Sequence, residues 1–121
     1  MLNRNQQYGQ QSEDLAARYL KKKGYEILQR NYRTRLGEID IIARDGQAIV
    51  FVEVKARKTE RAGSAKSSIT KTKQIKITRL AQQYLKQTRT YDVKVRFDVV
   101  VIKGEGESVE LFQNAFNGVF V

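Results

Sequence analysis

Apolar residues recur along this chain with two different periods. Leu15, Ala16, Tyr19 and Leu20 follow the three-to-four spacing of a helix, which predicts one over Ser12 to Lys23. Ser12 suits its N-cap, Glu13 and Asp14 its positive end, Lys21 to Lys23 its last turn, and Gly24 the position just beyond. On a helical wheel Glu13 sits beside Ala16 and Leu20, at the edge of the apolar stripe, where it can look toward a sheet. A second helix is predicted over Thr72 to Gln87, with Ile77, Leu80, Ala81, Tyr84 and Leu85 on one side and Lys73, Lys76, Arg79 and Lys86 elsewhere around it.

Between and after these segments the pattern is that of strands. Tyr25 to Arg35 reads as a strand whose interruptions, Gln29, Arg30 and Asn31, suit the edge of a sheet. Glu38 to Ala43 and Ala48 to Ala56 are rich in β-branched residues and flank Arg44-Asp45-Gly46-Gln47, in which Asp45-Gly46 signals a two-residue hairpin. Tyr91 to Ile102 runs into FDVVVI, the mark of a strand covered on both faces. After the turn at Gly104 to Glu107, Val109 to Phe112 forms a short last strand, and an apolar tail, Ala115 to Val121, serves as core or interface. The order is helix, three strands, helix, one or two strands.

Charges interrupt the two hairpin strands at Asp40, Glu53 and Lys55, and buried charge is costly unless it is paired or bound to a metal. With Asp45 and Gly46 as the turn, Arg44 faces Gln47 and Asp40 faces Phe51. Glu53 is then a diagonal neighbour of Asp40, about 7 to 8 Å away at Cα. A period of two puts Asp40, Glu53 and Lys55 on one face. Glu38 falls on that face too, and the ladder does not choose between Glu38 and Asp40. Two facing carboxylates repel, and Mg²⁺, a hard ion that takes carboxylate oxygen, relieves the repulsion. Lys55 beside such an ion equips the hairpin for phosphodiester hydrolysis. The bland alternative is a solvated face with cross-strand ion pairs worth under about 1 kcal/mol. Asp98 is another acid in an apolar strand, expected to pair with Arg96 or a nearby lysine rather than to bind metal.

Composition narrows the chemistry. The chain has 121 residues, room for one domain, and contains neither His nor Cys. That excludes Ser-His-Asp and Cys-His nucleophilic sites, His-ligated zinc, thiolate metal sites and disulfides. Catalysis must rest on carboxylates, Lys, Tyr or Ser. No apolar run approaches a membrane span and MLNRNQQYGQQSED lacks a signal-like segment, so a cytoplasmic protein with no membrane partner is expected. The formal net charge of +10 points to a polyanionic partner, with nucleic acid foremost and a ribosomal or membrane surface as the alternative. Basic residues crowd the segment after Lys55: Arg57, Lys58, Arg61 and Lys66 lie in a small, polar, flexible loop from Arg57 to about Ser68, followed by Lys71 and Lys73. Tyr8, Tyr32 and Tyr91 are candidates for base stacking or, as commonly, core-edge residues.

The ordered motifs Gly9-x-x-x-Glu13-x-x-Ala16-x-x-Tyr19-Leu20, GYEILQRNYR, GEIDIIARDG, VFVEVKAR, Lys73-Gln74, AQQYL and RFDVVVI resemble the YraN family of bacterial proteins over nearly the whole chain. That family is similar to the PD-(D/E)XK nuclease superfamily and to archaeal Holliday junction resolvases. The resemblance implies one domain, residues 1–121, with an α/β restriction-endonuclease-like core: a central mixed β-sheet flanked by helices in the order α-β-β-β-α-β-β. It implies a Mg²⁺- or Mn²⁺-dependent endonuclease acting on DNA, branched or single-stranded. Asp40, Glu53 and the main-chain carbonyl of Val54 would be ligands, Glu13 an assisting acid and Lys55 the catalytic lysine. Lys73 and Gln74 would face phosphate, and Asp40 is selected over Glu38. Ile39 stands where the superfamily has its name-giving proline. Because resolvases work as dimers, a homodimer is a further expectation. A non-catalytic DNA- or RNA-binding module with the same fold is the competing one.

Overall fold

The computed structural model describes residues 1–57 and 69–118. Its elements are α1 (Arg4–Lys22), β1 (Glu26–Thr34), β2 (Gly37–Asp45), β3 (Ala48–Arg57), α2 (Lys71–Gln87), β4 (Lys94–Lys103) and β5 (Ser108–Phe112). The five strands form one mixed sheet in the order β1-β2-β3-β4-β5, and only β3 and β4 run parallel. The expected α/β class, element order and edge position of β1 are all present.

Each helix covers one face. Ala16, Ala17 and Leu20 of α1 pack on Ile41, Val50, Val52, Val100 and Ile102. Ile77, Leu80, Ala81 and Tyr84 of α2 pack on Ile39, Ile42, Ile49, Phe51 and Phe97. The six residues from Phe97 to Ile102 are all buried, as a strand covered on both sides requires. Phe116 of the C-terminal tail stacks on Phe97, with ring centroids 5.0 Å apart, so this part of the tail is core.

Three local expectations are corrected. The first helix begins at Arg4, not Ser12. Asn3 caps it, its Oδ1 accepting from the Gln6 amide at 2.8 Å while Gln6 Oε1 accepts from the Asn3 amide at 3.0 Å. Ser12 lies buried within the helix. The polar first turns escape a periodicity test because they have little apolar surface to bury. The second correction concerns the hairpin. Asp45 pairs with Ala48, so Gly46 and Gln47 form the loop, with Gly46 at φ +60°. Arg96 holds the Asp45 carboxylate at 2.8 Å and keeps that residue in the strand. Third, Arg57 ends β3 rather than opening a loop, and the rest of that expected loop, Lys58 to about Ser68, lies outside the described residues.

Candidate metal centre

The hairpin register decides which acids meet. The ladder runs from Asp45↔Ala48 to Ile41↔Val52, and one further step puts Asp40 across from Glu53 rather than Phe51. Moving the loop by one residue shifts the partner by two, so Glu53 and Lys55 still share a face. The ladder then ends. The Val54 amide donates to Asp40 Oδ2 at 2.8 Å, and β2 parts from β3.

The alternation of β2 also breaks here. Ile39 belongs to the core under α2, whereas Ile41 belongs to the core under α1. Strict period-two geometry would put both on one side. Asp40 sits at the break, and Asn31 across from it on β1 has φ +55°. The expected convergence on a single face is therefore replaced by convergence on a fork, with acids arriving from both sides of the sheet. Glu13 of α1, Glu38 and Asp40 bring carboxylate oxygens within 4.8 Å of one another. Glu53 comes from the α2 side, beside Lys55 and Lys73.

Each flanking acid has a cation beside it, Glu13 sharing Arg30 with Asp14, which lies 2.6 Å from Arg30 Nη2. Arg30 Nε is 3.2 Å from Glu13 Oε1, Arg33 Nε is 2.8 Å from Glu38 Oε2, and Lys73 Nζ is 2.7 Å from Glu53 Oε1. Among the described residues Asp40, in their midst, accepts from the Val54 amide alone, and no cationic group lies within ion-pair distance of it. Burial and the Glu53 carboxylate push the Asp40 acid up to about 7, against the pull of the Val54 amide. Burial and the adjacent Lys73 lower the Lys55 ammonium to about 8, against the attraction of Glu53. For Lys73, burial opposes the charge but hydrogen bonding to Glu53 and Lys55 more than offsets it, and its ammonium is raised.

This donor set fits a hard divalent cation. It offers oxygen ligands only, and among the described residues Asp40 lacks the positive charge that its neighbours have found in arginine and lysine. Glu13, Asp40, Glu53 and, by its position, Glu38 are the residues that could hold such an ion. A groove of about 590 Å³ opens beside Glu13 and Glu38, bordered by Gln6, Gln10, Arg30 and Arg33.

Not every candidate reaches this fork. Lys58, Arg61 and Lys66 lie outside the described residues. Lys71 is exposed at the start of α2, and Gln74 Nε2 donates to the Ile69 carbonyl at 3.0 Å. Tyr32 is a core residue, packed edge-on against Tyr84, with its hydroxyl donating to Gln87. Tyr8 donates to the Gly104 carbonyl, and only Tyr91, at 70% exposure, presents an open ring. Asp98 is fully buried and paired with Arg96, as expected. Of the arginines that serve the fork, Arg30 showed in the sequence only as a polar interruption of an edge strand, and Arg33 carried no signal that singled it out.

Fold and fork together define an α/β protein with an acid-lysine centre where the middle of its sheet opens. The uncharacterised protein family UPF0102 matches residues 12–102, and this chain belongs to that family, the YraN family. A UPF0102 protein of Desulfosudis oleivorans is 59% identical over 117 residues, covering 97% of this chain and 95% of the relative. Relatives of the same description in Syntrophus aciditrophicus and Vibrio campbellii are 44% identical over 117 residues and 42% identical over 113. The alignments cover 95% and 92% of this chain and 92% and 93% of those relatives. Among the described residues no helix is long and apolar enough to cross a membrane.

Proposed function

We propose that this protein is a Mg²⁺- or Mn²⁺-dependent endonuclease that hydrolyses phosphodiester bonds in DNA, with branched or single-stranded forms as its substrates. One observation carries the reading: Asp40, with no counter-ion among the described residues, stands among Glu13, Glu38 and Glu53 at a fork that also holds the half-buried Lys55. Structural acids in a sheet are satisfied by local donors. Here, among the described residues, the cationic donors go to the flanking acids and Asp40 has the Val54 amide, an arrangement that suits a cation at the centre.

Asp40 and Glu53 would hold the ion, with Glu13 assisting and the Val54 carbonyl contributing as the resemblance to resolvases implies. When bound, the ion supplies Lewis-acid activation of water and offsets charge at phosphorus. Lys55 Nζ, lowered to about 8, can take up or release a proton near neutral pH and can orient a water against the phosphate. Arg57, Lys71 and the segment between them supply positive charge for the polyanion, in keeping with the formal net charge of +10. A cysteine-free chain suits a reducing, cytoplasmic setting, and a homodimer would let two such centres act on the two strands of a junction.

The test is a cleavage panel of labelled duplex, nicked, single-stranded and four-way DNA, with matching RNAs, in Mg²⁺ and Mn²⁺. Wild type is expected to cut at least one DNA form only with metal, and Lys55→Ala to bind but not cut. Cleavage unchanged by Lys55→Ala sinks the assignment. Tight, salt-sensitive binding with neither cleavage nor metal uptake would instead identify a non-catalytic nucleic-acid-binding module.

A further inference from the structure

Glu53 is committed to a cation before any metal arrives. Its Oε1 lies 2.7 Å from Lys73 Nζ and 3.9 Å from Lys55 Nζ, and its side chain is only 10% exposed. Lys55, at 17% exposure, belongs to β3 itself and is held by the sheet. Lys73 reaches in from the first turn of α2, which begins at Lys71 and has no acidic residue in that turn. A cation near a helix N-terminus sits at the positive end of the helix dipole, so the helix works against Lys73 and the contact with Glu53 holds it.

Three features make this contact exchangeable. The lysine stem is flexible, and a lysine donates as a point charge without a fixed fork, so it can release one acceptor and take another at little geometric cost. The Lys73 side chain is 38% exposed, so its ammonium has an open route outward that Lys55 lacks. A carboxylate oxygen in a short contact with ammonium also cannot accept a dication without bringing two positive charges together.

We propose that Lys73 is the exchangeable counter-ion of Glu53: it neutralises this acid in the metal-free protein and yields it to the divalent cation, freeing its ammonium for a nucleic-acid phosphate at the fork. The inference rests on the nuclease reading and adds its regulation. Metal entry prepares the substrate site, and a bound phosphate that draws Lys73 away prepares the metal site. Linkage requires the two effects to be equal.

The experiment uses the full chain and Mn²⁺ as the probe. Calorimetric titration compares wild type with Lys73→Gln, Lys73→Arg and Lys76→Gln, the last removing an exposed charge one turn further along α2. Lys73→Gln is expected to tighten Mn²⁺ binding roughly tenfold, within the usual range of site coupling. Lys76→Gln should change it less than about twofold, as expected of a screened surface charge. Lys73→Arg, which keeps the charge and grips carboxylate in two places, should leave Mn²⁺ binding unchanged or weaken it.

A second arm measures binding of labelled DNA by anisotropy in a Lys55→Ala background, with and without Mn²⁺. Mn²⁺ should tighten DNA binding there, and adding Lys73→Gln should remove that gain. Unchanged or weakened Mn²⁺ affinity in Lys73→Gln, or metal-DNA coupling that survives it, overturns the exchange while leaving the nuclease reading intact. Wild type that takes up no Mn²⁺ overturns both.

Discussion

Two aspartates stand in apolar strands of the same sheet and meet opposite fates. Asp98 on β4 is fully buried and surrounded by donors. Arg96 reaches both its oxygens at 2.9 and 3.0 Å, the Tyr25 hydroxyl donates at 2.7 Å and the Asn114 amide at 2.9 Å. Tyr25 in turn accepts from Gln113 and Arg96, and burial pushes its hydroxyl up to about 12. Asp40 on β2, among the described residues, receives one amide and faces three carboxylates. The first acid ties strand β4 to the segment after β5 and to the start of β1. The second does no such tying. A buried acid with its donors in place is architecture, whereas one surrounded by its own kind needs something from outside.

Stability separates them most sharply. Asp98→Ala removes a fully buried acceptor from Arg96, the Tyr25 hydroxyl and the Asn114 amide, leaving Arg96 only Asp45 and Tyr25 as partners, and should cost about 3–5 kcal/mol, the usual penalty for breaking a buried pair. Asp40→Asn removes a carboxylate that its neighbours repel. In the absence of metal it should stabilise by on the order of 1 kcal/mol or more, since one pKa unit is worth about 1.4 kcal/mol. Urea unfolding in chelator measures both, and a loss of stability in Asp40→Asn would erase the contrast.

Added metal should reverse that order. At a hundredfold excess over Kd, Mn²⁺ should stabilise wild type by about 2.7 kcal/mol, raising the thermal midpoint, and should leave Asp40→Asn unmoved. Equal shifts in the two proteins would place the ion elsewhere.

The dependence on pH follows from the raised acid and the lowered lysine. Asp40 has its folded value near 7, above the ordinary 3.8 of an aspartate, so the folded chain holds the extra proton between these. Its contribution is fully present below about 4 and is lost as pH rises through 7. Lys55, near 8 against 10.5, leaves the folded chain short of a proton in that interval, so stability recovers from pH 8 to 10.5. The metal-free protein should therefore be least stable between about pH 7 and 8. Asp40→Asn should flatten the falling limb, and thermal melts across pH in chelator would show whether it does.

The smallest effect is expected at Glu38. Glu38→Gln should weaken Mn²⁺ binding about tenfold, the scale of an outer partner to a metal site. An unchanged affinity in calorimetry would confine the centre to Glu13, Asp40 and Glu53.

Much of this was legible in the residues. The helical spacing through Leu15, Ala16, Tyr19 and Leu20 marks α1's buried stripe because a helix must hide one side. FDVVVI marks β4 because a strand covered on both faces is apolar at successive positions, here all but Asp98. Arg96, two residues before Asp98 and on the same face of the strand, announces its own ion pair. The start of α1 was not legible, since its capping box of Asn3 and Gln6 precedes any apolar repeat. Nor was the loop position of the hairpin, because Asp45 is kept in β2 by Arg96, which lies far along the chain.

For the centre itself, sequence alone determined the materials: acids at 13, 38, 40 and 53, lysine at 55, no histidine or cysteine, and an excess of positive charge. Residue type and count are local properties, and they are enough to restrict the chemistry. Tertiary structure decided the arrangement. It opened the fork between β2 and β3, broke the alternation at Asp40, matched Arg30, Arg33 and Lys73 to three of the acids and left the fourth with no counter-ion among the described residues. These are outcomes of competition among groups distant in sequence, and a period read along one strand does not contain them.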